Sequence, residues 1–61
     1  MPKKIRDLKK LLRGAGIAAI RSRGSHVTYA HPKLSVPFTL SGKDGDDAED
    51  YQEKLVEQAL R

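Results

Sequence analysis

The sequence has no cysteine and no tryptophan, and only 5% of its 61 residues are aromatic. Without cysteine, neither a disulfide framework nor a thiolate zinc site can form. Its longest weakly apolar stretch runs only from Ile17 to Ile20, far short of the ~20 residues that a membrane-spanning helix needs. No apolar run typical of a signal peptide follows the basic start. We therefore expect a cytoplasmic protein with no membrane partner.

The short chain also limits what the fold can enclose. A domain of about 60 residues buries only about 60% of its unfolded surface, so its core is thin. One domain over residues 1–61 fits this length, and a deep crevice for a dinucleotide or another small-molecule cofactor does not.

Charge is divided unevenly along the chain. Residues 1–33 carry nine Lys and Arg against Asp7 alone, whereas residues 34–61 carry three against seven Asp and Glu. A strongly basic half is typical of proteins that bind a polyanion, most often nucleic acid. The alternative is that these charges only keep a small protein soluble.

The first half of the chain predicts a helix followed by two strands. Leucines and isoleucine at helical spacing indicate an amphipathic helix from about Pro2 to Arg13, with Pro2 in its first turn and glycines ending it. Ile17 to Arg23 is predicted as a strand, and a tight turn at Gly24 leads into a second strand, His26 to Ala30.

The second half predicts a third strand and a second helix. Apolar residues alternate from Leu34 to Leu40, and Pro37 within this run favours an edge strand, because proline cannot donate to a ladder. Asp46 or Asp47 is predicted to cap the last helix, whose apolar stripe would comprise Ala48, Tyr51, Leu55, Ala59 and Leu60. The result is an α+β, two-layer sandwich in α-β-β-β-α order, with one sheet face open.

His26 is the candidate for chemistry, because an imidazole can take up or release a proton near neutral pH. Alternation in the second strand directs Val27 and Tyr29 to the core and leaves His26 on the open face. A bulge near Gly24 would reverse this. Arg21, Arg23 and the turn amides at Gly24 and Ser25 could hold phosphate oxygens. The alternative is an ordinary hairpin with a solvated or structural histidine.

The segment from Gly24 to Pro32 resembles the central motif of the HicA family of toxins from bacterial type II toxin–antitoxin systems. That motif is roughly Gly-Ser-His, two variable residues, an aromatic, one variable residue and His-Pro. Six residues match it in place, namely Gly24, Ser25, His26, Tyr29, His31 and Pro32. The upstream helix with paired leucines, the glycine and the basic strand fit as well, so the resemblance covers nearly the whole chain.

The resemblance implies a fold similar to a double-stranded RNA-binding domain and an mRNA interferase, with mRNA as substrate and a HicB-type antitoxin as partner. The catalytic histidine of the family falls on His26. His31 also matches, but a structural role is at least as plausible for it. The acidic region 41–54 departs from the basic ending of many family members. We expect it to point away from RNA or to serve the antitoxin.

Two function hypotheses remain open. In the first, the protein is a metal-independent endoribonuclease in which His26 is the general base or acid, and Lys10, Arg21 and Arg23 hold phosphates. The second proton-transfer group is then Ser25, Tyr29, His31 or water. In the second hypothesis, the same surface binds RNA without cutting it. The aspartate cluster near residue 46 is better explained by helix capping and solvation than by a metal, and no cofactor is required.

Overall fold

The computed structural model describes residues 3–61. Helix α1 (Ile5–Gly14), strands β1 (Ala18–Arg23), β2 (His26–Ala30) and β3 (Phe38–Ser41), and helix α2 (Asp50–Ala59) follow one another along the chain. The three strands form one antiparallel sheet in the order β1-β2-β3. The predicted α+β fold and its element order are therefore confirmed.

Helix α1 ends as its glycines predict. Gly16 has a φ of 78°, and its N–H donates to the carbonyl of Arg13, while the N–H of Ile17 donates to that of Leu12. This pair of bonds is a Schellman cap, which requires a left-handed residue at the position Gly16 occupies. The helix begins at Ile5, and the predicted first-turn position of Pro2 lies outside the described residues.

Both helices cover the same sheet face. The buried cluster draws on both helices, on β2 and β3, and on the connections between them, and it comprises Ile5, Leu8, Leu12, Ile17, Tyr29, Leu40, Ala48 and Val56. Val27 packs against this cluster, and the Tyr29 ring stacks on Phe38 at 5.9 Å between centroids. The predicted core-side positions of Val27 and Tyr29 are thus correct, and in the described part of the chain no helix lies on the opposite sheet face.

The third strand is shorter than predicted. It begins at Phe38, after Pro37, and Val36 is 70% exposed. The N–H of Leu34 donates to the carbonyl of His31 and closes a turn, so the alternating residues before Pro37 belong to an irregular segment. Proline has no N–H for the ladder, and pairing starts immediately after it. The expected edge position of β3 is confirmed.

The second helix begins later than predicted and presents a different face. Its N-cap is Glu49, whose N–H donates to the Gln52 side chain, so the predicted caps Asp46 and Asp47 are wrong. Val56 and Gln52 are buried, and Leu55 and Ala59 are half-buried.

The predicted apolar stripe is therefore wrong in part. Tyr51 is 55% exposed and Leu60 is 40% exposed, whereas the stripe omitted Val56. Ala48 is buried, but it precedes the helix. The predicted stripe thus included two exposed apolar residues and left out Val56, the most deeply buried residue of the helix.

Candidate nucleic-acid interface

A two-residue turn places His26 at one end of the sheet. Arg23 and His26 are cross-strand partners, which leaves Gly24 and Ser25 as the loop of the β1–β2 hairpin. Gly24 has a φ of 60°, as the first central position of a type II′ turn requires. A Cβ added at Gly24 would meet no atom within 4 Å, so a ligand has room to approach the backbone of this turn.

The register of the sheet determines which side chains accompany His26. Directly opposed residues in an antiparallel ladder lie on the same face. His26 is opposite Arg23 on one side and Ser41 on the other, and all of these except the half-buried Ser41 are exposed. The register therefore places His26 on the open face, as the sequence predicts.

A β-bulge brings a second arginine to the same face. The register shifts between Ala19 and Arg21, so that Arg21 lies opposite Thr28. Thr28 is on the open face, where its hydroxyl lies 3.0 Å from that of Thr39. The bulge falls at Ile20 and not near Gly24, and consequently it does not disturb the face on which His26 lies.

The open face therefore combines one imidazole, two guanidinium groups and three hydroxyls. Thr28, Thr39 and Ser41 were not among the residues singled out from the sequence. Period-two alternation in β3, from the buried Leu40 outward, would have indicated the two residues on that strand. Such a surface can hold anionic groups next to a proton-transfer group.

Two of the four candidates for a second proton-transfer group lie away from His26. Tyr29 is 6% exposed and lies in the core. His31 follows β2, five residues after His26, at the far end of the strand. Its Nδ1 accepts a hydrogen bond of 3.1 Å from the backbone N–H of Lys33, so it stabilises a turn. Ser25 stays adjacent to His26 in the hairpin loop.

The lysines of α1 are divided between two clefts. Lys10 lines a groove with Lys3, Asp7 and Leu11, apart from the hairpin turn. Lys9 instead lies at a cleft lined by the Gly24–Ser25 turn and by a loop that carries Lys43 and Asp44. The structure thus brings Arg21, Arg23, Gly24 and Ser25 together with His26 and leaves Lys10 separate.

The acidic loop 42–47 folds back onto α1. Lys9 Nζ lies 2.6 Å from Asp44 Oδ1, and Lys4 forms a second ion pair with Asp47. The hydrogen bond from Lys9 and the charges of Lys9 and Arg6 hold the pKa of Asp44 below its ordinary value. Within residues 3–61, no group of three or more His, Asp or Glu side chains is arranged to hold a metal ion.

Comparison with known protein families places this chain in one of them. The family model described as HicA toxin of bacterial toxin–antitoxin matches residues 5–60. No curated protein and no solved structure matches the chain. Among the described residues, no helix is both long and apolar enough to cross a membrane. Because the match extends over almost the entire sequence, the chain belongs to the HicA family of toxins from bacterial toxin–antitoxin systems.

Proposed function

We propose that this toxin is a metal-independent endoribonuclease that cuts mRNA, with His26 as its catalytic residue. The observation that carries the proposal is the register at the hairpin end of the sheet. It supports a site in which an exposed imidazole shares one face with Arg21 and Arg23. The chain belongs to a family of toxins, and cutting of mRNA at this surface would be toxic to a cell without an antitoxin.

The proposed reaction is in-line attack of a ribose 2′-oxygen on the adjacent phosphorus. His26 removes the proton of the 2′-hydroxyl, a P–O bond forms to the 2′-oxygen, and the bond to the 5′-oxygen breaks. The 5′-oxygen leaves with a proton from a second donor, for which Ser25 or water remains adjacent. In the alternative assignment His26 donates that proton. The products are a 2′,3′-cyclic phosphate and a 5′-hydroxyl end.

The cations supply the electrostatic part of catalysis. Charge accumulates on the non-bridging oxygens as the 2′-oxygen attacks, and positive groups on the same face stabilise it. Arg21 and Arg23 are suited to this because a guanidinium donates two parallel hydrogen bonds to phosphate. Removal of one proton-transfer group costs about 10²–10⁴-fold in rate.

The test compares purified wild-type protein with the His26→Ala variant on single-stranded RNA in the presence of EDTA. We expect the wild type to release fragments that end in a 2′,3′-cyclic phosphate, detected by mass spectrometry, and the variant to bind but not cut. His31→Asn is the matched control, because it changes the other histidine and should cut normally. Undiminished cleavage by His26→Ala would exclude the assignment.

The same experiment separates the enzyme from a non-catalytic RNA-binding module. A module of that kind would bind RNA in a salt-sensitive way and leave it intact under all conditions. If RNA stays intact after long incubation with correctly folded wild-type protein, the result favours a module that only binds RNA.

We also propose that the partner is a HicB-type antitoxin which covers the open sheet face. The support is that this face carries the proposed site and that no helix within residues 3–61 shields it. A complex with such an antitoxin should protect RNA, and hydrogen exchange should slow at β2 and β3 when it forms. Helix α2 packs on the opposite sheet face, so its acidic surface points away from RNA bound at the open face.

A further inference from the structure

We infer that the cleft beside the hairpin turn is a subsite for an RNA backbone phosphate, with Lys9 as its main cation and Asp44 as an internal competitor. The cleft has a volume of about 430 Å³ and is lined by Lys9, Gly24, Ser25, Gly42, Lys43 and Asp44. This inference rests on the proposed function, because its ligand belongs to the RNA that His26 is proposed to cut.

The cleft and the proposed catalytic site share the hairpin turn. Ser25 lines it and directly precedes His26, and the carbonyl of Ser25 accepts a hydrogen bond of 3.2 Å from the N–H of Gly42. That bond holds the loop bearing Lys43 against the hairpin. Lys9 belongs to a helix on the covered side of the sheet and His26 lies on the open side, so an RNA strand bound at His26 would reach the cleft by crossing the Gly24–Ser25 turn.

The lining has the chemistry of a phosphate site. Two lysines, Lys9 and Lys43, line it together with the unobstructed backbone of Gly24. Lysine is a common phosphate ligand that acts as a point charge, and exposed turn amides add hydrogen-bond donors. Asp44 is the one acidic residue of the lining, and the nearby Asp46 accepts a hydrogen bond from the N–H of Lys43.

Asp44 occupies the place that a phosphate oxygen would take. Its Oδ1 lies 2.6 Å from Lys9 Nζ, and its side chain is 64% exposed. Exposed ion pairs are weak, since water and salt screen them. A backbone phosphodiester carries the same single negative charge as this carboxylate, but further contacts along the RNA hold it in place. It can therefore displace Asp44, and the acidic loop lowers RNA affinity without blocking the site.

The experiment measures binding to a short single-stranded 2′-O-methyl RNA by fluorescence anisotropy. This probe has no 2′-hydroxyl nucleophile, so the result does not depend on cleavage. We expect Asp44→Asn to bind it about 2–5-fold more tightly, the range set by the strength of an exposed ion pair. Lys9→Gln should bind more weakly, and adding Asp44→Asn to it should change nothing further.

Asp47→Asn is the matched control, because it removes the same charge from the same loop and frees Lys4, the N-cap of α1, instead of Lys9. We expect it to change affinity much less than Asp44→Asn. Equal effects of the two variants, or an undiminished Asp44→Asn effect in the Lys9→Gln background, would overturn the subsite alone. Absence of binding by every variant would overturn the RNA function as well.

Discussion

Arg21 lies opposite Thr28 in the β1–β2 ladder, although strict alternation from Ala19 would put it opposite Val27. The difference is the bulge at Ile20, one extra residue in β1. Since Val27 packs against the core and Thr28 lies on the open face, the bulge moves Arg21 to the face of His26. Bulges commonly re-aim side chains near functional sites.

This relationship predicts the effect of exchanging two neighbouring residues. A double variant with Arg21→Ser and Ser22→Arg keeps the net charge but moves one cation from the Thr28 side to the Val27 side of β1. We expect weaker binding of single-stranded RNA and a salt dependence whose log–log slope is shallower by about 0.7, because one phosphate contact is lost.

Binding titrations at several salt concentrations measure both quantities. Lys54→Ser with Ser35→Lys is a charge-neutral control in which both changed residues lie outside the sheet. An unchanged slope in the Arg21 double variant would show that RNA binding does not depend on which face of β1 carries the cation.

Element order was accessible from the sequence because its signals are local. The glycines after α1, the turn at Gly24 and the β-branched and aromatic residues of β2 each act through their own conformational preferences. Phe38 and Leu40 show the alternation of β3 correctly, but the same alternation before Pro37 produced a strand that was too long. A period-two pattern states which residues alternate and not whether a partner strand is present.

The remaining differences depend on tertiary contacts. Gln52 is 3% exposed and polar, and its burial is possible only because β3 and the N-cap of α2 supply partners. Lys9 and Lys10 are adjacent lysines, and which of them reaches the hairpin turn depends on how α1 packs on the sheet. The bulge at Ile20 has no glycine to mark it. Neither periodicity nor composition contains this information.

His31 is predicted to act on stability and not on cleavage. Its Nδ1 accepts the N–H of Lys33, so His31→Ala should lower the free energy of unfolding by about 0.5–1.5 kcal/mol. His31→Asn should retain most of it, because an asparagine side chain accepts from the N–H two residues later. Urea denaturation measures both. Loss of RNA cleavage in the well-folded His31→Asn variant would contradict this role.

Gln52 is predicted to stabilise the protein by connecting α2 to Ser41, the residue of β3 that pairs with His26. Its Nε2 donates to the Ser41 carbonyl at 2.8 Å and its Oε1 accepts from the Glu49 N–H at 2.9 Å. Gln52→Leu should therefore cost about 1–3 kcal/mol in the free energy of unfolding, because two backbone groups lose partners.

Gln52→Glu distinguishes the two bonds. Its carboxylate can still accept from the Glu49 N–H but faces the Ser41 carbonyl with a second acceptor, so at neutral pH it should also be destabilised. Thermal unfolding of both variants, with the exposed Gln58→Leu as control, tests this. Equal stability of Gln58→Leu and Gln52→Leu would show that the buried amide contributes nothing specific.

Asp44 is predicted to give the protein an acid-sensitive contribution to stability. The hydrogen bond and the charge of Lys9, with a smaller effect of Arg6, lower the pKa of Asp44 in the folded state. A lowered folded-state pKa stabilises the fold above the unfolded value of about 3.9 and is lost as pH falls through the folded value. Wild type should therefore have a higher Tm than Asp44→Asn at pH 6. The difference should begin to shrink below about pH 3.9 and disappear below the folded-state pKa.

Lys9→Gln removes the cause of the shift and should lie close to Asp44→Asn at every pH. A Tm difference between wild type and Asp44→Asn that persists in strong acid would assign the effect to something other than this ion pair. Together with the expected gain in RNA affinity, lower stability of Asp44→Asn would mean that one carboxylate favours the fold and opposes the ligand. Stability and RNA binding are expected to make opposite demands on this carboxylate, because the cations that bind RNA repel one another in the free protein.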